Sequence, residues 1–385
     1  MEITKEGIVN EPKRMSRREM LATVGSVAAA VAVPPRCASA SAEEARATAS
    51  IPRNPLPRWR GANLLEKFAA GRKGDRPNRP FVERDFEWLA RWGFDFVRLP
   101  MDYRFWTDLA DRRMLKEPVL NEINQAVEWG RQYKIHVCIN FHRTPGYCVN
   151  QPELEPFSLW TDEEAQEICE LHWRTFARRY KGIAPSRLSF NLWNEPGRPG
   201  ERGLTRQRHE AVVRRIVGAI REEDADRLII ADGLLWCRDP LPELTDLGIA
   251  QSTRAYTPSR LTHYKASWSR GSDKWPVPTW PLQVGETRWD IEHLREHYRP
   301  WLDLMRKRIG VHCGEGGVYR YTPHKVALAF LRDVLTVLKE YGIGWAVWNM
   351  RGTFGWVDSQ RTDITYETFE GHKLDRAMLD LLLSM

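Results

Sequence analysis

Cysteine is scarce in this sequence, with six residues in 385 and no pair in a Cys-x-x-Cys spacing. That spacing is typical of zinc sites and redox motifs, so its absence argues against a metal cluster. Cys37 lies in an N-terminal segment with the pattern of an export signal. An odd number then remains, which argues against a full disulfide framework. The remaining cysteines are Cys138, Cys148, Cys169, Cys237 and Cys313.

Basic stripes, internal repeats and membrane-length apolar runs are also missing. The formal charge of +7 is scattered and would not follow a phosphate backbone, so we expect no nucleic-acid partner. The apolar stretch 21–33 is too short to span a bilayer. It follows Arg17-Arg18 and precedes Ala38-Ser39-Ala40, a pattern typical of a twin-arginine signal. We therefore expect a signal over 1–40, a disordered linker over 41–55, and a periplasmic or secreted monomer without a membrane anchor.

Short apolar runs alternate with amphipathic segments from about residue 56 onward. Strands that are buried on both faces and separated by helices imply a parallel sheet. Eight such units in about 330 residues imply one (β/α)8 TIM barrel over 56–385. A doubly wound open sheet is the alternative, but no Gly-x-Gly-x-x-Gly turn follows the first strand. The predicted strands are 58–63, 94–99, 135–141, 188–193, 228–232, 249–256, 310–315 and 344–348.

Tryptophan is abundant, with 17 residues. Indole faces stack on the C–H faces of sugar rings, so the excess is compatible with a sugar-binding cleft, but a large aromatic core explains it equally well. The longest predicted connection, 257–308, contains Trp268, Trp275, Trp280 and Trp289. Connections of this length are usually functional, and we expect this one to wall a substrate groove.

Two glutamates each follow an apolar run, Glu195 after the fourth predicted strand and Glu315 in the seventh. Hydrolysis of a glycosidic bond needs two carboxyl groups, one holding a proton and the other ionised. In a barrel the carboxyl ends of all strands meet at one face, so the fold can bring the two glutamates together. The pair predicts a glycosidase.

The other predicted strand ends support this interpretation. Arg98 and Tyr256 could hydrogen-bond to Glu315 and keep it ionised for attack, while Glu195 holds the proton for the leaving group. Asn194 could hold the sugar 2-hydroxyl, and Trp348 could be the stacking floor. Each residue alone has an ordinary structural explanation, and His142 is more often a structural histidine than a catalytic one. The occurrence of all of them at strand ends favours a site.

These motifs together resemble glycoside hydrolase family 5, the cellulase-type family of (β/α)8 enzymes, over essentially residues 58–385. The resemblance implies a retaining mechanism with Glu195 as acid/base and Glu315 as nucleophile, a polysaccharide or oligosaccharide substrate, and no metal or organic cofactor. The residues that carry it are Arg60-Gly61-Ala62-Asn63-Leu64, Phe96-Val97-Arg98-Leu99-Pro100, Asn140-Phe141-His142-Arg143, Leu192-Trp193-Asn194-Glu195-Pro196, Thr262-His263-Tyr264, Cys313-Gly314-Glu315-Gly316-Gly317 and Ala346-Val347-Trp348-Asn349.

One position departs from the family pattern. The family usually has His-x-Tyr at the end of strand six, whereas this chain has Arg254-Ala255-Tyr256. Three outcomes are open: His263 supplies the missing imidazole, Arg254 lowers the pKa of Glu195 and shifts the pH optimum downward, or activity is weak. We expect a working enzyme with an acid-shifted optimum.

The most favoured function is an exported endo-β-1,4-glucanase. A β-mannanase or β-1,3-glucanase would share the same residues and differ in loop shape. A non-catalytic carbohydrate-binding barrel is the alternative of another class, and only Arg254 favours it.

Overall fold

The core of the structure is a closed barrel of eight parallel strands in which the first strand pairs with the last. The computed structural model of the protein describes residues 51–68, 80–149 and 155–385. The predicted signal at 1–40 and the linker residues 41–50 lie outside the described residues. The strands are β1 (Arg60–Asn63), β2 (Phe96–Asp102), β3 (His136–Arg143), β4 (Leu188–Asn191), β5 (Leu228–Asp232), β6 (Ala250–Ala255), β7 (Val311–Gly316) and β8 (Gly344–Val347).

The predicted (β/α)8 barrel is confirmed, and the open-sheet alternative is wrong because β1 hydrogen-bonds to both β2 and β8. Each of the eight predicted strands is present, and most bounds shift by one to three residues. The fourth strand ends earliest relative to prediction, at Asn191 rather than residue 193. Beyond it Leu192 N still donates to Ile230 O over 3.1 Å, and the backbone becomes left-handed at Glu195.

Seven helices of nine residues or more surround the barrel in the described part of the chain. Their buried faces follow the helical repeat, as in the second helix, where Leu120, Ile123, Ala126 and Val127 are buried. Their bounds are α1 (Glu83–Arg91), α2 (Glu117–Tyr133), α3 (Glu163–Arg179), α4 (Arg206–Glu223), α5 (Ile291–Arg306), α6 (His324–Glu340) and α7 (Arg376–Ser384). Among these residues no helix has the length and apolarity that crossing a membrane requires.

Two apolar layers flank the strands. Along β2, Val97 and Leu99 pack in the large cluster shared with the helices, whereas Phe96 packs in a smaller cluster with Trp59 and Cys138. Because successive side chains of a strand point to opposite faces, the smaller cluster lies inside the barrel. It fills the interior near the amino ends of the strands and leaves the carboxyl ends to polar side chains.

The predicted connection 257–308 is not a single loop. It contains the hairpin Leu282–Val284 with Thr287–Trp289 and the helix α5. Trp280 donates its Nε1–H to Asp333 Oδ2 over 2.8 Å and packs against Phe330, so it lies on the outer helix α6 rather than walling a groove. Trp268 is 56% exposed and lies against His263. This exposed indole fits the predicted groove wall.

The packed part of the chain begins before the predicted boundary at residue 56. Asn54 is buried, and its Nδ2 donates to Val311 O over 2.7 Å while its Oδ1 accepts from Val311 N over 3.1 Å. This pairing ties the segment to the start of β7. Residues from Ile51 to Met385 accordingly form one compact unit.

All five cysteines among the described residues are buried thiols, and no disulfide joins any two of them. The core is instead unusually aromatic. Six tryptophans are almost completely buried, which supports the core interpretation of the tryptophan excess for those residues. They are Trp106, Trp173, Trp193, Trp301, Trp345 and Trp356.

Candidate active site

The carboxyl ends of the strands bring most of the predicted site residues to one face of the barrel. Arg98 lies within β2, Arg254 within β6 and Glu315 within β7, and their side chains meet inside the barrel. Asn194 and Glu195 follow β4, and hydrogen bonds join both of them to the same cluster.

Glu315 is held by three donors. Its Oε1 accepts from Arg98 Nη1 over 2.5 Å and from Arg254 Nη2 over 3.4 Å, and its Oε2 accepts from the Tyr256 hydroxyl over 3.2 Å. Its side chain is only 4% exposed. Burial and the carboxylates nearby raise the pKa of Tyr256 well above its usual value, so the phenol remains a neutral donor. These contacts suit an ionised carboxylate with a fixed direction.

Arg98 uses its guanidinium to fix amides as well as the carboxylate. It is 1% exposed, and its Nε donates to Asn191 Oδ1 over 3.0 Å and its Nη2 to Asn194 Oδ1 over 2.8 Å. Asn194 Oδ1 also accepts from Arg254 Nη2 over 3.0 Å. With its oxygen bound to two cations, the amide of Asn194 presents its NH2 group as a donor.

Glu195 occupies a strained backbone position at the barrel mouth. Its φ of 48° lies in the left-handed region that non-glycine residues rarely adopt. The backbone is fixed on both sides, because its N–H donates to Asp232 Oδ2 over 2.9 Å and its carbonyl accepts from the Tyr147 hydroxyl over 2.7 Å. Such outliers cluster at functional sites and persist only where neighbours hold them.

The side chain of Glu195 differs from that of Glu315 in its electrostatics. It is 16% exposed and accepts one charged hydrogen bond, from Arg254 Nε over 2.9 Å. Burial first, and then repulsion from Glu315, raise the pKa of Glu195 to about 7, against the opposing effect of Arg254. The site therefore combines a carboxyl group that retains a proton near neutrality with one surrounded by cationic donors.

Arg254 extends through the barrel interior beside Glu195, as the sequence predicted. Its Nη1 donates to Ser252 Oγ over 2.8 Å, and its Nη2 donates to Asp232 Oδ2. A Cβ at Gly314 would lie 3.1 Å from Arg254 Nη1 and 2.7 Å from Ser252 Oγ, so glycine leaves the space for this side chain. Arg254 lowers the pKa of Glu195 as expected, but burial and the neighbouring carboxylates outweigh it, so the pKa of Glu195 is raised overall.

His263 does not replace the missing imidazole. Its Nδ1 hydrogen-bonds with Thr262 Oγ1 over 2.9 Å, and its ring packs edge-on against Tyr256 with centroids 5.2 Å apart. His263 therefore packs against the ring of Tyr256 rather than contacting Glu195. The alternative that His263 supplies the family contact is wrong for this reason.

His142 and Trp348 form a stacked pair at the same face, with ring centroids 5.3 Å apart and planes 24° from parallel. Burial, with a further contribution from Arg98, lowers the pKa of His142 well below its usual value. The imidazole is therefore neutral near pH 7 and adds no charge to the cleft.

Asp232 is the main site residue that sequence reasoning missed. It ends β5, is buried, and accepts from Arg254, from Glu195 N and from Asn191 Nδ2 over 2.9 Å. The signal was present, because Leu228–Asp232 is an apolar run closed by a carboxylate, the same pattern that identified Glu195. Asn191 and Tyr147 were also missed.

The turn after β5 lies against the segment that follows Glu195. Leu235, Trp236 and Cys237 have φ values of 53°, 57° and 60°, three consecutive left-handed residues without a glycine. Trp236 N donates to Pro196 O over 3.0 Å, and the Arg238 guanidinium lies 5.2 Å from the Trp236 ring centre. The turn thus presents a half-buried indole beside the barrel mouth.

Comparison with known proteins agrees with this geometry. The description "Cellulase (glycosyl hydrolase family 5)" matches residues 80–353. Endoglucanase C of Acetivibrio thermocellus is 27% identical over 295 residues, covering 70% of this chain and 84% of that protein. A crystal structure of a glycoside hydrolase is 40% identical with a TM-score of 0.80, covering 85% of this chain and 99% of the other.

A more distant structure shares the fold. Thermotoga maritima Cel5A in complex with mannotriose is 21% identical with a TM-score of 0.67, covering 86% of this chain and 98% of the other. Since the family match spans 274 of 385 residues, most of the barrel is accounted for. The chain belongs to glycosyl hydrolase family 5 and is a cellulase-like glycosidase that hydrolyses O-glycosyl bonds.

Proposed function

We propose that this glycosidase is a retaining endo-β-1,4-glucanase in which Glu195 is the acid/base and Glu315 the nucleophile. The observation that carries the proposal is the unequal environment of the two carboxyl groups around one guanidinium. Glu315 accepts from Arg98, Arg254 and Tyr256, whereas Glu195 accepts one hydrogen bond from Arg254. Where two environments push the pKa values of paired carboxyl groups apart, the group that keeps its proton is the acid and the ionised group is the base or nucleophile.

The reaction follows in two steps. Glu315 attacks the anomeric carbon as the glycosidic bond breaks, and Glu195 gives its proton to the departing oxygen. Glu195, now ionised, then removes a proton from water, whose oxygen attacks the same carbon and releases Glu315. Because one guanidinium contacts both carboxyl groups, the geometry favours the narrow spacing of about 5–5.5 Å that retention requires over the wider spacing of inversion.

Other side chains are suited to holding the sugar. The oriented NH2 group of Asn194 can donate to the 2-hydroxyl, a contact that strengthens as positive charge develops at the anomeric carbon. Trp348, stacked on His142, supplies an apolar face for the sugar that Glu315 attacks. The leaving-group sugar must lie beside the acid, so we expect the turn that carries Trp236 to line that side.

The choice of a β-1,4-glucan rests on relatives described as endoglucanases. A β-mannan is the second candidate, because a distant structural relative was crystallised with mannotriose. A β-1,3-glucan remains a further candidate on the same scaffold. The non-catalytic alternative rested on Arg254 in place of the family's histidine. This arginine hydrogen-bonds to both glutamates, so its presence does not argue against catalysis.

A substrate panel tests this proposal. We expect the enzyme to release reducing ends from soluble β-1,4-glucan at least about tenfold faster than from β-mannan, β-1,3-glucan or xylan. A rapid fall in viscosity would accompany endo action. Proton NMR of the first product should show the β-anomer before mutarotation. A first-formed α-anomer would contradict retention, and faster release from mannan would replace the glucanase assignment.

We also propose that the chain is exported through its N-terminal segment. The support is the Arg17-Arg18 pair, the apolar stretch after it and Ala38-Ser39-Ala40. Replacing both arginines with lysine should keep the protein inside the cell, because twin-arginine recognition reads the guanidinium pair and not charge alone. Cell fractionation of the double variant beside wild type measures this. Equal export of the two proteins would contradict the route.

A further inference from the structure

Five charged side chains meet at the carboxyl ends of the strands. Two are guanidinium groups and three are carboxyl groups. Arg254 touches all three carboxyl groups, with Nε 2.9 Å from Glu195 Oε1, Nη2 3.4 Å from Glu315 Oε1, and Nη2 hydrogen-bonded to Asp232. Arg98 pairs with Glu315. Each of these side chains except that of Glu195 is 4% exposed or less, so solvent screens them little.

Apart from Arg238, the remaining titratable groups that face Glu195 in the described part of the chain are uncharged near pH 7. Burial raises the pKa of Tyr147, Tyr256 and Cys237 well above their usual values and lowers that of His142 well below. Arg238 is exposed at the rim, where solvent screens its charge.

A separate group of charges lies next to His142 and, among the described residues, contains ion pairs of its own. Arg143 contacts Glu155 over 2.7 Å and Asp102 over 3.4 Å, and Arg104 pairs with Asp102 over 2.5 Å. Two cations thus meet two carboxylates. The five charged side chains around Arg254 can therefore be counted on their own.

The count depends on the proton of Glu195. With Glu315 and Asp232 ionised and Glu195 protonated, two positive charges meet two negative charges. If Glu195 also ionises, the buried site carries an uncompensated negative charge, which a low-dielectric interior disfavours. Without the Asp232 carboxylate, neutrality would instead require an ionised Glu195.

We propose that Asp232 is a positioning residue that acts through Arg254. Its negative charge balances the positive charge of the guanidinium, so the buried site is neutral when Glu195 carries its proton. The same carboxylate accepts from Glu195 N and so fixes the strained backbone of the acid. Asn191 Nδ2 holds the other oxygen of Asp232 in place. This inference rests on the proposed role of Glu195 as acid/base.

The test is a set of pH profiles of kcat/KM on a soluble β-glucan. In wild type the alkaline limb should fall near pH 7, where Glu195 loses its proton. In Asp232→Asn that limb should move down by at least about one pH unit, giving a loss of at least about fivefold at pH 7 and of about threefold or less at pH 5. An unmoved limb would overturn the inference.

Two further variants separate this role from a structural one. Arg254→Gln removes a positive charge and should move the alkaline limb upward. The double variant Asp232→Asn/Arg254→Gln removes one charge of each sign, so its limb should return toward that of wild type. A double variant whose limb stays at the position of Asp232→Asn would contradict the charge argument, because rescue by a second deletion is not expected of lost packing.

Asp224→Asn is the matched control. Asp224 forms another buried carboxylate–arginine pair, with Arg227 Nη2 at 2.7 Å. It follows α4, before β5, and Arg227 also donates to Leu188 O at the start of β4. This variant should lower the thermal unfolding midpoint without moving the alkaline limb. If it moved the limb as far as Asp232→Asn does, the effect would be general destabilisation and the inference would fail.

Glu195→Gln distinguishes the inference from the proposed function. Its profile should lack the alkaline limb that wild type shows. If Glu195→Gln keeps that limb, the acid/base assignment fails, and the inference fails with it. If the limb disappears in Glu195→Gln but is unmoved in Asp232→Asn, only the role of Asp232 is rejected.

Discussion

Replacement of Glu315 by alanine should reduce kcat on β-glucan by about 10⁴-fold or more, because this variant lacks the carboxylate proposed to form the covalent intermediate. Arg98 and Tyr256 point at the Glu315 carboxylate, so the donors that support attack would remain without an acceptor. We expect oligosaccharide binding to persist, because Asn194 and Trp348 are unchanged. Initial rates and calorimetric binding of a cello-oligosaccharide measure the two quantities separately.

Azide provides the control for that variant. Loss of the side chain leaves space beside the cationic Arg98, so azide should enter and attack an activated aryl β-glycoside. The expected product is an α-glycosyl azide, because the anion approaches from the side that Glu315 occupied. Glu315→Gln, which keeps the shape but cannot attack, should not be rescued. Near-wild-type turnover by either variant, with no azide product, would remove Glu315 as nucleophile.

Replacement of Glu195 by alanine should have the second-largest effect, and it should depend on the leaving group. On β-glucan, whose departing oxygen needs a proton, we expect kcat/KM to fall by about 10²- to 10⁴-fold. On a dinitrophenyl β-cellobioside, whose leaving group departs without a proton, the first step should remain within about tenfold of wild type. Burst kinetics on the activated substrate separate formation of the intermediate from its hydrolysis.

Azide again identifies the position of the missing group. In Glu195→Ala it should accept the glycosyl unit from the intermediate and give a β-glycosyl azide, the opposite anomer from the Glu315 variant. Equal losses on activated and natural substrates would contradict an acid role. Since Arg254 and Asp232 would keep their mutual hydrogen bond, the thermal unfolding midpoint checks that the loss is not one of fold.

The fold could be predicted from the sequence because the signal is local and repeated. Each barrel strand is a short apolar run buried on both faces, as in Leu228–Asp232, where the predicted and observed bounds coincide. The predicted bounds differ from the observed ones where tertiary contacts determine where an element or the packed domain begins. The chain packs from at least Asn54 because of hydrogen bonds to Val311, a partner 257 positions away. The helix α5 was hidden in a segment whose prolines and tryptophans suggested a loop.

The site was predicted in part, and the missing part is electrostatic. The expectation that active-site residues lie at the carboxyl ends of the strands indicated Glu195, Glu315 and Arg254, and the structure brings their side chains together. The direction in which the pKa of Glu195 is shifted could not be derived from its nearest cation alone. It depends on burial and on the sum of all neighbouring charges, including Glu315 and Asp232, which act against Arg254.

The buried thiols have a practical consequence for handling the enzyme. Burial raises the pKa of Cys138 to about 11 and those of Cys169 and Cys313 to about 12, so little reactive thiolate exists in the native state. Maleimide or iodoacetamide should therefore modify these side chains only when the barrel opens. The rate of alkylation, followed by mass spectrometry, would then report the rate at which the barrel opens. Reducing agents in storage buffers should not destabilise the protein.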